Sequence, residues 1–196
     1  MLDINEIKIL IDTAQNSRDK AIIACLFDSA CRVEEFTNIS LGELILKGNQ
    51  MIICVDGKTG QREVPLGFSV PYLEAYLKSH PFKDDTSASL WISVWGKKLS
   101  KGSIKNLITV IGRNSRIQKN IHPHILRHSR LTDLAEKGMT ETQMRIFAGW
   151  TADSSMPAKY LHLTNDAVRK KVYELDGKHD PIEDEVEKGL NLGWKS

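Results

Sequence analysis

Two residues on one helical stripe raise the first chemical question. The segment 123–137 reads as a helix, with Pro123 suited to a first turn and Gly138 just past the end. Leu131, Leu134 and Ala135 define its inward stripe. Counting back at about 100° per residue puts Arg127 and His124 on the same line. A permanently charged guanidinium on a core-facing line needs an anion or a hydrogen-bonding partner. Taken alone, the residues allow an internal Arg–carboxylate pair beside a hydrogen-bonded histidine, or a site that takes an anion. Lys58, in the turn Asp56-Gly57-Lys58-Thr59-Gly60, reads by itself as a solvated turn residue.

The charge distribution bears on that choice. The 196 residues carry 27 Lys+Arg against 25 Asp+Glu, a formal net charge of +2 that suggests no partner. Residues 97–145, however, hold eleven basic residues against three acidic ones, and the rest of the chain holds 16 against 22. Residues 174–188 alone carry seven acids and two lysines. A basic block of this density is either a solvated helix face or a surface that follows phosphates.

Composition narrows the field. With 41% hydrophobic and 27% charged residues the chain can bury a core, and wholesale disorder is excluded. No apolar run approaches the ~18–20 residues that span a bilayer, and no basic-then-apolar secretory signal opens the chain. Cys25, Cys31 and Cys54 form neither an even disulfide set nor a C-x-x-C pair, which predicts reduced thiols and an intracellular compartment. His122, His124, His128 and Asp133 are the residues for a metal-dependent phosphohydrolase. Two of them flank a proline, and no second carboxylate stands at a ligand spacing.

Several elements must position these groups. Asp3 and Glu6 are spaced as a capping box ahead of Ile7, Leu10 and Ile11, and a second helix is predicted from about Arg18. Residues 51–55 and 63–66 read as strands joined by the Lys58 turn, a hairpin with lysine at its tip. Helices follow at 70–79, 100–114 and 123–137. Thr140 and Gln143 form another capping box, and Pro157 opens a helix carrying Tyr160. The predicted fold class is mainly α with a small antiparallel sheet, α+β.

At this point the sequence resembles a known family. Pro123-His124-Ile125-Leu126-Arg127-His128 resembles the H-x-x-R-H signature of tyrosine recombinases, the phage-type integrases. Ala30-Cys31-Arg32-Val33-Glu34-Glu35 is similar to the family's first-arginine motif, and residues 57–66, ending Val-Pro-Leu, to its lysine hairpin. Ala148-Gly149-Trp150, followed by Met156-Pro157-Ala158-Lys159-Tyr160-Leu161-His162-Leu163, resembles the nucleophile segment. Tryptophan replaces a frequent histidine at 150, and the Met-Pro-x-x-Tyr-x-His-Leu form is similar to archaeal integrases, hinting at an archaeal or mobile-element source.

The resemblance implies metal-independent, cofactor-free DNA strand cleavage and rejoining through a 3′-phosphotyrosyl intermediate. Tyr160 would be the nucleophile. Arg32 and Arg127 would clamp the non-bridging phosphate oxygens with bidentate forks. His124 would take or share the tyrosine proton, Trp150 would donate its indole N–H, and Lys58 would protonate the leaving 5′ oxygen. Glu35 would orient Arg32, and His128 would support the site from behind. Lys97, Lys98, Lys101, Lys105, Arg113, Arg116 and Arg130 are the expected DNA-backbone contacts.

The resemblance also implies a tetramer on double-stranded DNA, allows a monomer for the free protein, and implies no membrane and a cytoplasmic, nucleoid-associated location. A catalytic domain is expected over 1–176, with an acidic tail over 177–196 and a docking segment within 164–196. The match leaves out the family's usual N-terminal core-binding domain, which argues for the rival reading of a DNA-binding remnant that modulates a full-length recombinase, while the intact set of candidate residues argues against it. A type IB topoisomerase shares the chemistry.

Overall fold

The computed structural model describes residues 1–47, 50–57, 59–161 and 172–177. The chain divides into two compact units, Met1–Tyr160 and Leu161–Ser196. In the second, residues 172–175 form a single helical turn. The acidic stretch from 178 onward and most of the expected docking segment lie outside the described residues.

The first unit begins with α1 (Ile4–Thr13), capped by Asp3 and Glu6 in the predicted reciprocal box, with Ile7, Leu10 and Ile11 buried. Helix α2 (Ser17–Ser29) follows, capped by Asn16. Its residues 21–29 are all buried, so it is surrounded by other elements, as a helix apolar on every face must be. Ala30 ends it in the left-handed region at φ 47°, which for a residue with a Cβ costs roughly 1 kcal/mol. That turn leads directly into α3 (Val33–Asn38), whose N-cap is Arg32.

A three-stranded antiparallel sheet comes next, β1 (Leu44–Lys47), β2 (Gln50–Gly57) and β3 (Gly60–Leu66), in the order β1-β2-β3. The predicted hairpin is β2–β3; β1 and the short α3 were not foreseen. In the β2–β3 register Ile53 faces Val64, Val55 faces Arg62, and Gly57 faces Gly60 across the turn. Helices α4 (Val70–Lys78), α5 (Lys101–Asn114), α6 (Pro123–Glu136) and α7 (Glu141–Ala148) complete the unit. The second capping box, Thr140 with Gln143, opens α7 as expected. The fold is therefore mainly α with a small antiparallel sheet.

Two devices lock the helices that carry the site. Phe36, Trp91 and Tyr76 stack in series, with centroids 4.6 Å and 5.8 Å apart, anchoring α3 in the core. Asp28, fully buried on α2, accepts from Gly67 N–H, Ser69 N–H and Ser69 O–H at 2.8–2.9 Å through one oxygen. Its other oxygen accepts from Arg130 of α6 at 2.9 Å. One carboxylate thus ties α2 to the β3–α4 turn and to α6.

Among the described residues no helix is long and apolar enough to cross a membrane. Cys25, Cys31 and Cys54 are free, the first two buried. Burial pushes the thiols of Cys25 and Cys31 above their ordinary range, so they behave as core side chains.

Candidate active site

His122 caps α6 by accepting the Ile125 N–H, and Pro123 fills the first turn, which sets Arg127 one turn inside the helix. Arg127 is buried, as its stripe predicted. Its Nη1 donates to the Ala30 carbonyl, which the left-handed turn at Ala30 presents, and its Nη2 donates to the Ala148 carbonyl at 2.9 Å. Among the described residues no carboxylate forms an ion pair with it, so the internal Arg–carboxylate alternative is not the arrangement found. Burial, and then the charge of neighbouring Arg32, lower its pKa to about 10.

Arg32 caps α3 from the other side of the site. Its Nη1 donates to Glu35 Oε1 at 2.7 Å, and both Nη groups lie 3.3 Å from the Gly149 carbonyl. A third arginine, missed by the sequence reading, completes the cluster. Arg62 of β3 donates through Nη2 to Glu35 Oε2 at 2.8 Å and through Nε to the Phe147 carbonyl at 3.2 Å. Three successive carbonyls at the end of α7 (Phe147, Ala148, Gly149) therefore each accept from a different arginine. The C-terminal end of a helix carries about half a negative charge, which accounts for the convergence. Burial works against the Glu35 carboxylate, but hydrogen bonds from Arg62 and Arg32 outweigh it and hold the carboxyl below its ordinary range.

The signal for Arg62 was present in the strand. On β3, Val64 and Leu66 are buried while Gln61, Glu63 and Pro65 are exposed, and period-two alternation puts Arg62 on the inner row. Glu35 bonds the Arg32 guanidinium and is itself held by Arg62.

Gly149 closes α7 at φ 63° and turns the chain into Trp150. A Cβ there would stand 2.6 Å from Arg62 Nη1, so glycine is required both for the turn and for space. The Trp150 ring lies 5.8 Å from the Arg127 guanidinium and stacks on Tyr160 at 5.7 Å and 22°. A 3-10 turn, Pro157–Lys159, delivers Tyr160, in place of the longer helix expected from Pro157. The Tyr160 hydroxyl lies 3.1 Å from His128 Nδ1. Burial raises the Tyr160 pKa, partly opposed by the charge of Arg127.

The contact expected of His124 is thus made by His128. His124 is exposed, with its ring 6.4 Å from that of His122. Helical periodicity gives a direction around the axis, but among the described residues no neighbour covers that direction at the first turn of α6. Lys58 lies outside the described residues; the strands on either side of it pair up to Gly57 and Gly60. Among the described residues no three His, Cys, Asp or Glu side chains form a metal-binding group.

The expected backbone contacts separate into three sets. Lys97, Lys105, Arg113 and Arg116 are exposed. Lys98 donates to Asn38 at 2.8 Å, and Lys101 pairs with Glu34 at 3.4 Å, both on α3. Arg130 corrects the expectation. It bonds Asp28 and Asp133 at 2.9 Å and packs over Phe27, so its charge serves the α2–α6 contact.

The fold and the cluster place the chain in a class, that of tyrosine recombinase catalytic domains. The crystal structure of XerA recombinase superposes with a TM-score of 0.72 at 26% identity, covering 91% of this chain and 64% of that one. XerH bound to its difH substrate (TM-score 0.70, 19% identity, 87% and 53% coverage) shares the fold. So does the Tn1549 transposon integrase in complex with circular intermediate DNA (0.70, 18%, 89% and 66%). The chain belongs to the phage integrase family, whose model matches residues 1–166. The tyrosine recombinases XerD of Staphylococcus epidermidis and S. saprophyticus are each 30% identical to it, over 87% and 89% of this chain. The chain spans about 60% of the length of these relatives.

Proposed function

We propose that this chain is the catalytic domain of a site-specific DNA recombinase that cleaves and rejoins strands without a metal. The observation that carries the reading is the convergence of Arg32, Arg127, Trp150 and Tyr160, from four separate segments, at the C-terminal end of α7. Tyr160 Oη attacks the scissile phosphorus, a 3′-phosphotyrosyl bond forms, and the bond to the 5′ oxygen breaks. Arg32 and Arg127 carry the charge that develops on the non-bridging oxygens; a donor in such a role is worth ~10²–10³ in rate.

The phenol proton passes to His128 Nδ1, in the tautomer with hydrogen on Nε2. His124, exposed at the mouth of α6, bonds a phosphate oxygen together with the Trp150 indole N–H. Lys58 protonates the departing 5′ oxygen, and Lys97, Lys105, Arg113 and Arg116 follow the DNA backbone. The working assembly is a tetramer on duplex DNA, in keeping with the lambda integrase tetramer solved on a Holliday junction, which has this fold.

The test is covalent capture in EDTA on nicked duplexes with a randomised site. A denaturation-resistant protein–DNA adduct is expected from the wild type and not from Tyr160→Phe. Binding of these duplexes without any adduct supports a DNA-binding remnant instead, and an adduct surviving in Tyr160→Phe removes that residue as the nucleophile.

A further inference from the structure

The Arg62 side chain is only 7% exposed, yet it alone of the three arginines holds a buried nitrogen left unbonded among the described residues. Its Nη1 is shut off from solvent and has no hydrogen-bond partner among the described residues. Two glycines make room for it. A Cβ on Gly57 would come within 3.0 Å of Nη1, and one on Gly149 within 2.6 Å. Cys31 Sγ lies 4.0 Å from Nη2. Across the sheet Arg62 faces Val55, and along its strand it follows the buried row of Val64 and Leu66.

An apolar side chain would suit such a position better. A buried ion pair with an unbonded N–H adds little stability over a well-packed hydrophobic residue. What the pair does add is a fixed point. Arg62 is tied to the Phe147 carbonyl, and Glu35 is as buried as Arg62 is. Glu35 gives one oxygen to each guanidinium, Oε2 to Arg62 and Oε1 to Arg32, and Oε2 also accepts the Arg32 backbone N–H at 3.1 Å. Arg32, with 35% of its side chain exposed, is the only one of the three groups that opens outward.

We propose that Arg62 is a positioning residue: through Glu35 it holds the Arg32 guanidinium in the orientation that meets the scissile phosphate. This rests on the recombinase reading above. A lysine at 62 keeps the charge but cannot reach Glu35 and the Phe147 carbonyl with one fork. With Glu35 no longer anchored by Arg62, the Arg32 guanidinium is guided mainly by its 3.3 Å bonds to the Gly149 carbonyl, and a clamp displaced by about 1 Å loses on the order of 10²-fold in rate.

The experiment compares adduct formation on a captured duplex with a phosphate or an uncharged methylphosphonate at the scissile position. The methylphosphonate lacks one anionic oxygen and so depends less on the Arg32 clamp. In Arg62→Lys and in Glu35→Gln the rate on phosphate is expected to fall about 10²-fold. On methylphosphonate it is expected to stay within about threefold of the wild type, since that substrate does not need the full clamp. Equal losses on both substrates, or no loss on either, overturn the proposal. So does unfolding of both variants by circular dichroism, because the pair would then serve the fold alone.

A second readout needs no DNA. The Arg32 guanidinium N–H resonances, assigned with Arg32→Lys, are expected to be resolved in the wild type and averaged by rotation in both variants. Unchanged resonances overturn the proposal. If the wild type forms no adduct, the recombinase reading fails, and the resonances alone decide whether Arg62 fixes Arg32.

Discussion

Arg32 and Arg127 donate to adjacent carbonyls, those of Gly149 and Ala148, at distances of 3.3 and 2.9 Å. Two like charges are thereby held side by side at the negative end of a helix. Burial first, and then the charge of Arg32, bring the Arg127 pKa down to about 10. An anion between the two guanidinium groups would balance this charge, as the proposed phosphodiester substrate does.

Gly149 is expected to tolerate no side chain. Its φ of 63° disfavours a Cβ by ~1–2 kcal/mol, and the Arg62 guanidinium occupies the space. Gly149→Ala should lower unfolding free energy by about 2 kcal/mol or more in urea titrations. Gly138→Ala, at a similar φ of 87° with nothing near its Cβ, should show the backbone part alone.

His128 and His124 are expected to separate kinetically. His128→Ala removes the group 3.1 Å from the Tyr160 hydroxyl, and loss of a proton acceptor costs ~10²–10⁴ in rate. That deficit should shrink as pH rises, because the phenol then ionises without help. His124→Ala should slow adduct formation with no such recovery. Rate–pH profiles of the two variants make the comparison.

Glu35 should make stability depend on pH. Its carboxyl is held below the ordinary value of 4.5 in the folded protein, so the unfolded chain takes up its proton first as pH falls. The stability it contributes is present above about 4.5 and is lost progressively below that value. Urea unfolding between pH 6 and 3 should therefore show a shallower decline for Glu35→Gln than for the wild type.

Asp28 is expected to be the most sensitive buried acid. Asp28→Ala leaves Arg130, Ser69 and the Gly67 N–H without their shared partner. Breaking a buried pair in this way typically costs ~3–5 kcal/mol. A thermal melt of the variant, with Arg130→Met as a comparison that removes the charge as well, checks the assignment.

Much of this architecture was legible locally. The capping boxes at Asp3 and Thr140, the β2–β3 hairpin and the helix from Pro123 to Glu136 each depend on residues within a few positions of one another. Short-range hydrogen bonding and periodicity suffice to read them. The short α3 and β1 were not legible, because α3 is held by the Phe36–Trp91 stack and β1 by pairing with β2. Arg130 was misread for a related reason: charge in a sequence does not reveal that a buried carboxylate 102 positions away will pair with it.

By itself the sequence determined most of the elements, the family motifs and the inward direction of Arg127, since backbone propensity and helical phase are local properties. Which histidine meets Tyr160, which arginine anchors Glu35, and how three guanidinium groups share one helix end were decided only by the tertiary structure. Those relations join residues 21 to 117 positions apart. They follow from where the packed elements bring their ends together, a matter of distance that no periodicity encodes.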